Sequence, residues 1–143
     1  MPQITTQVPD LMASGAIIQV YIFPPAHTFW EPDIDPKKIP IFTAQGLIDT
    51  GASISAIDTT IVTHLKLISR DYVPVMTPSG ITKHYTYDIS LMLPKTLNHK
   101  SFDLEVTGSD LIRQGFHVLI GRDVLKSCNF VYSGNDNTWH LSI

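Results

Sequence analysis

The apolar residues of this chain gather in short β-branched and aromatic runs, separated by turn residues. Residues 17–23 are the first such run and predict a strand. Residues 41–48 predict a second, which ends on Asp49, and residues 54–57 read as another. Asp58 then offers a carboxylate to cap free N–H groups, and Ile61, Leu65 and Leu67 share one face, so a short helix is expected to about Lys66. Residues 72–76 and 81–93 read as a hairpin with Pro78-Ser79-Gly80 at its tip; Tyr85, Tyr87, Ile89, Leu91 and Leu93 alternate along its second arm. Its outer part, residues 77–86, is polar.

Residues 94–100 read as a turn, 101–107 as a strand, and 108–114 as a loop or single helical turn. Residues 116–120 form a further strand, and 123–127 a short helix with Val124 and Leu125 facing inward. The cluster Ser133-Gly134-Asn135-Asp136-Asn137 is strong turn chemistry, so 129–132 and 138–143 form a closing hairpin. There is no internal repeat and no low-complexity tract. The expected architecture is all-β, a small closed β-barrel with one or two short helices. Residues 1–15, with Pro2 and Pro9 and little periodicity, read as a mobile N-terminal arm, and 16–143 as a single domain. Residues 24–40 hold Pro24, Pro25, Pro32, Pro36 and Pro40, with acids at Glu31, Asp33 and Asp35 and bases at Lys37 and Lys38. They read as a long loop, a surface elaboration rather than a partner site, since loops absorb insertions cheaply.

Composition narrows the function. At 143 residues with 43% hydrophobic, the chain is about one domain and can bury a core. A net charge of −3, a pI near 6.0 and no basic run argue against nucleic-acid partners. A single cysteine, Cys128, excludes an internal disulfide and reads as a small buried residue beside Phe130. No apolar run approaches ~18 residues and no signal peptide is visible, so the expectation is a soluble, cytoplasmic protein without a membrane span. His27, His64, His84, His99, His117 and His140 form no ligand pair, which points to no metal and no cofactor. His84 and His117 read as solvated strand residues rather than as pH-sensitive groups near a hairpin tip and a pocket mouth. Gly-x-Ser-x-Gly and Cys/His nucleophile signatures are missing.

The chemistry gathers at Leu47-Ile48-Asp49-Thr50-Gly51-Ala52-Ser53. An aspartate ending an apolar strand is costly unless paired or hydrogen-bonded, and Gly51 lets the backbone turn behind it. Asp-x-Gly is also ordinary turn chemistry. A second apolar strand, Val118-Leu119-Ile120, repeats the design and leads into Gly121-Arg122-Asp123-Val124-Leu125. The two motifs, in this order and with strand-like runs between them, resemble the retropepsin family of aspartic proteases. Pro2-Gln3-Ile4-Thr5 also matches the start of some retroviral members.

That resemblance implies peptide hydrolysis by a water activated between two carboxylates that share one proton. The chain supplies one such aspartate, so the resemblance implies a homodimer with Asp49 of each subunit on the two-fold axis. It implies that the Thr50 hydroxyl bonds across that axis and that the Gly51 carbonyl receives substrate backbone. Ala52, where some relatives place a hydroxyl, implies a working pH nearer neutral. Ser53 departs from members that hold an Asp there as partner of the arginine matched by Arg122; Asp123, Asp58 or a subunit contact are the alternatives, and Gly121 and Arg122 remain structural or dimer residues. The hairpin at Ser79, Gly80 and Ile81 corresponds to a flap that closes over an extended polypeptide substrate. Ile54, Val118 and Leu119 are candidates for apolar side-chain pockets, or for core. The competing reading is a non-catalytic module of the same fold that binds peptide or only dimerises.

Overall fold

Period-2 alternation decides the strands. In β2 (Ile17–Phe23), Ile18, Val20 and Ile22 are buried while Gln19 is exposed, as in a sheet with one face on the core. β3 (Phe42–Ile48) buries Ala44, Gly46 and Ile48 in the same way. The structure is a computed structural model that describes residues 1–25 and 35–143. β2 and β3 pair antiparallel from Ile17↔Leu47 to Ile22↔Phe42. β3 runs parallel to β8 (Val118–Ile120), and β8 antiparallel to β4 (Ala56–Asp58). β4 runs parallel to β7 (Ser101–Ser109), and β7 antiparallel to β6 (Gly80–Met92). β6 returns to β2 through Tyr21↔Met92, Ile22↔Leu91 and Phe23↔Ser90. A ring of six strands is thereby closed, the small all-β barrel that the pattern predicts. Among the described residues β5 (Asp71–Thr77) pairs only with β6, and the turn between them holds Pro78 and Ser79.

A second, three-stranded sheet has the order β1-β10-β9, with β1 Gln3–Gln7, β9 Asn129–Ser133 and β10 Thr138–Ser142. Residues 1–15 therefore carry regular structure where an arm without it is expected. Gln3-Ile4-Thr5-Thr6-Gln7 has one apolar residue, so its strand character comes from a distant partner: the Thr5 hydroxyl and His140 Nδ1 lie 2.7 Å apart across 135 residues. α1 (Leu11–Ser14) follows, with Asp10 capping it by accepting from the Ala13 N–H. The Leu11 N–H donates to Asn137 Oδ1 in the β9–β10 turn, which ties the two ends of the chain together.

Leu11, Leu97, Val124, Trp139 and Leu141 join the inward residues of β2, β3 and β6 in one core. Each such side chain contributes about 1.5–3 kcal/mol on burial, so the terminal sheet is fixed against the ring. α2 (Thr59–His64) buries Ile61 and ends before Lys66, whose φ is 52°. α3 (Arg122–Leu125) buries Val124. Residues 26–34 of the expected 24–40 loop lie outside the described residues; at its end Asp35 accepts from the Lys37 N–H and opens a 3-10 turn, Pro36–Lys38. No helix among the described residues is long and apolar enough to cross a membrane.

Candidate active site

Asp49 stands at the end of β3, half-buried, with its backbone fixed by strand pairing. The Ile48 N–H donates to Ala16 O and the Asp49 N–H to Ile120 O, each at 2.9 Å. The loop then turns on the side chain itself: Asp49 Oδ1 accepts from the Gly51 N–H at 2.9 Å. Oδ2 has no hydrogen-bond partner among the described residues. One carboxylate oxygen is thus held by the loop's own backbone.

The loop is braced from the β8–α3 corner. The Arg122 N–H donates to Ala52 O at 2.8 Å, and its guanidinium Nη1 donates to Thr50 O at 2.7 Å. Within one chain Arg122 therefore meets neither Asp123 nor Asp58, two of the three partners expected for it. Asp123 is occupied by Ser55, accepting from its N–H at 2.9 Å and its hydroxyl at 2.6 Å. Ser53 carries a hydroxyl and no carboxylate, and the guanidinium is satisfied by the Thr50 carbonyl instead. Ser55, fully buried, also accepts from the Gly121 N–H at 2.9 Å. A Cβ on Gly121 would stand 2.9 Å from Ala52 O and 3.0 Å from the Ile54 carbonyl carbon. Only glycine lets the two motifs approach this closely.

Asp58 does more than cap α2. It accepts from the Thr60 N–H and hydroxyl at 2.9 and 2.6 Å, and from the Leu111 and Ile112 N–H groups at 2.7 and 2.8 Å. Burial works against the charged form. The Thr60 hydroxyl and the N–H groups of Thr60, Ile112 and Leu111 outweigh it and lower the carboxyl from 3.8 to about 2. The turn that leads into β8 is therefore locked to the strand that follows the Asp49 loop.

The remaining predicted residues divide by exposure. Thr50, Gly51, Ser53 and Ile54 are exposed and Ala52 half-buried; the Thr50 hydroxyl has no hydrogen-bond partner among the described residues. Ser79, Gly80 and Ile81 are exposed at the tip of the β5–β6 hairpin. Val118 is fully buried in the core, and half-buried Leu119 packs against the cluster of Ala56, Leu111 and Phe116. His117 is a structural acceptor, its Nδ1 taking the Gln45 N–H at 3.1 Å, and His84 Nδ1 lies 2.9 Å from Ser109 Oγ. Half-buried Cys128 donates its Sγ–H to Val124 O at 3.6 Å. The described residues contain no cluster of His, Cys, Asp and Glu fit for a metal.

Three contributors escape the sequence pattern. Ser55 is the polar residue inside Ile54-Ser55-Ala56-Ile57, and a hydroxyl in such a run demands a partner; that was the signal available. Phe130 and Tyr132 line a depression with Gly15, Ala16, Asp49 and Thr50. Their signal was alternation in β9, which puts both on one face.

No sequence-family profile and no curated protein matches the chain. Solved structures do match. Simian foamy virus protease aligns at a TM-score of 0.51 and 12% identity, over 78% of this chain and 92% of that one. EIAV protease, complexed with the inhibitor HBY-793, aligns at 0.53 and 16%, over 84% and 93%. A retropepsin-like aspartic protease from Rickettsia conorii aligns at 0.60 and 15%, over 97% and 89%. The fold is retropepsin-like.

Within this retropepsin-like barrel the Asp49 loop and the Gly121 corner come from different parts of the chain and meet through parallel β3 and β8. The β5–β6 hairpin lies between them in sequence. Arg122 reaching a loop carbonyl, with serine at position 53, is this chain's departure from the pattern that the resemblance implies.

Proposed function

We propose that the chain is an aspartic endopeptidase, active as a homodimer, that hydrolyses extended polypeptides by direct attack of water. The observation that carries the reading is the state of the Asp49 loop. Its backbone is held at Asp49, Thr50 and Ala52, while Asp49 Oδ2 and the Thr50 hydroxyl have no partner among the described residues. Two such loops facing each other would bring two carboxylates onto one water. Carboxylates that close share a single proton. The ionised member takes a proton from water as it attacks; the protonated member donates to the carbonyl oxygen.

The substrate is a peptide in extended conformation. The β5–β6 hairpin acts as the flap, and the N–H and C=O groups around its tip supply strand-like hydrogen bonds. Ile54 and Ile81, 37% and 68% exposed, receive apolar side chains next to the cleaved bond in this reading. Val118 supports these contacts from the core. Gly121 and Arg122 hold the loop rather than touch substrate.

Peptide-library cleavage with wild type and Asp49→Asn tests the reading. The wild type cleaves between apolar residues and is blocked by a statine-type transition-state mimic, whereas Asp49→Asn keeps the fold and loses cleavage. Full activity in Asp49→Asn would falsify the mechanism. Tight peptide binding by the wild type with no cleavage would favour the non-catalytic module.

A further inference from the structure

The three-stranded sheet leaves one edge open beside Asp49. The Val8 N–H donates to Asn137 O and the Ile143 N–H to Pro2 O. The odd-numbered residues of β10 therefore turn their backbone groups toward β1. The even-numbered ones, Thr138, His140 and Ser142, face β9, where they meet Ser133, Val131 and Asn129. The backbone N–H and C=O groups of Phe130 and Tyr132 are left pointing away from the sheet. Among the described residues no strand pairs with β9 on that side.

Natural sheet edges are blunted by charge, proline, bulges or cover. Asn129-Phe130-Val131-Tyr132-Ser133 has neither charge nor proline, and Val131 and Tyr132 are 54% and 51% exposed. The opposite edge, β1, lies against the turn Lys95–Leu97 and is flanked by Pro2 and Pro9. On β9 the side chains of Phe130 and Tyr132 lie on the face that meets Asp49 and Thr50. Val131 lies on the other face with His140 and Thr5.

We infer that β9 pairs antiparallel with β9 of a second copy of this chain, with Val131 on the two-fold axis, to make one continuous six-stranded sheet beneath the paired Asp49 loops. This rests on the reading that two Asp49 side chains form the site. The pairing is self-complementary. With Val131 opposite the partner's Val131, Phe130 stands opposite the partner's Tyr132, and each outward N–H and C=O finds its mate. No strand exchange is required, because β1 is already paired within its own chain. The occupant is a second copy because the edge lies beside a loop whose carboxylate awaits a twin. A single axis through Val131 is then also the axis that the site needs.

Two measurements test the arrangement. In a Cys128→Ser background, Val131→Cys should form a disulfide-linked dimer under mild oxidation. Residues opposite each other in a non-hydrogen-bonded antiparallel pair have Cα atoms about 4.5 Å apart, inside the range a disulfide spans. Asn129→Cys in the same background should not cross-link, because its opposite residue is the partner's Ser133. By sedimentation, Val131→Lys alone and Val131→Glu alone should each weaken the dimer about tenfold. A mixture of the two should restore it, since only a residue facing itself can be rescued this way.

A dimer that forms while Val131→Cys stays uncross-linked and Val131→Lys stays dimeric would overturn the β9 interface and leave the paired-Asp49 reading standing. Cross-linking at Asn129→Cys would overturn the register. A cross-linked Val131→Cys dimer that cleaves no peptide would support the interface and count against the proposed activity. A chain that stays monomeric at every concentration would overturn both.

Discussion

Replacing Asp58 by asparagine tests whether the hydrogen bonds assigned to that carboxylate hold the fold around the site. The carboxyl is lowered from 3.8 to about 2 in the folded chain. At 1.36 kcal/mol per unit, that is roughly 2.5 kcal/mol, a large share of a domain stability of about 5–15 kcal/mol. The side chain is 1% exposed, so solvent screening takes little from the figure. In the pH window between about 2 and 3.8 the unfolded chain binds the extra proton. This stabilisation is therefore complete above the unfolded value and lost as pH falls toward about 2. The asparagine side chain would not titrate, and its amide would set an NH₂ against either the Thr60 donors or the Leu111 and Ile112 donors. Urea unfolding of wild type and Asp58→Asn, at pH values from about 6 to about 2, reads the difference directly. The gap in stability should be constant above about pH 5 and shrink by roughly 2 kcal/mol by pH 2, where the folded carboxyl is half protonated. A gap that does not change with pH would refute the assignment, because other carboxylates titrate alike in both proteins.

Other expectations follow from the same contacts. Gly121→Ala sets a methyl 2.9 Å from Ala52 O, so the Asp49 loop must shift; peptide cleavage should fall about 100-fold, as for a displacement near 1 Å, while circular dichroism stays that of a folded chain. Ser55→Ala strands the buried Gly121 N–H and removes a 2.6 Å bond to Asp123, and thermal unfolding should show a loss of about 1–3 kcal/mol. Gly80 has φ of 126° with open space around it, so Gly80→Ala should strain only the hairpin tip by about 1–3 kcal/mol; steady-state kinetics should show reduced kcat/KM.

The barrel strands were legible from two signals. Ile17–Phe23 is a run of β-branched and aromatic residues broken only by Gln19, and Tyr85, Tyr87, Ile89 and Leu91 alternate along the second hairpin arm after the Pro-Ser turn. β1 was illegible because four of its five residues are polar and its partner lies at the other end of the chain. Asp58 was readable as a helix cap, since Thr60 is two residues on. Its bonds to Leu111 and Ile112, more than 50 residues away, are tertiary and leave no local mark. Arg122 shows the same limit: a carbonyl acceptor such as Thr50 O belongs to every residue, so sequence cannot single it out. The depression shared by Asp49 and Tyr132 arises where the terminal sheet packs against the ring.

In the proposed enzyme two chains each give one Asp49 to a shared site. Wild-type chains equilibrated with about a tenfold excess of Asp49→Asn chains test it most directly, with cleavage measured per wild-type chain. Random pairing leaves roughly a tenth of wild-type chains with a wild-type partner, so cleavage per wild-type chain should drop to about that level. If it stays at its starting value after the subunits have exchanged, one Asp49 suffices and the account is wrong.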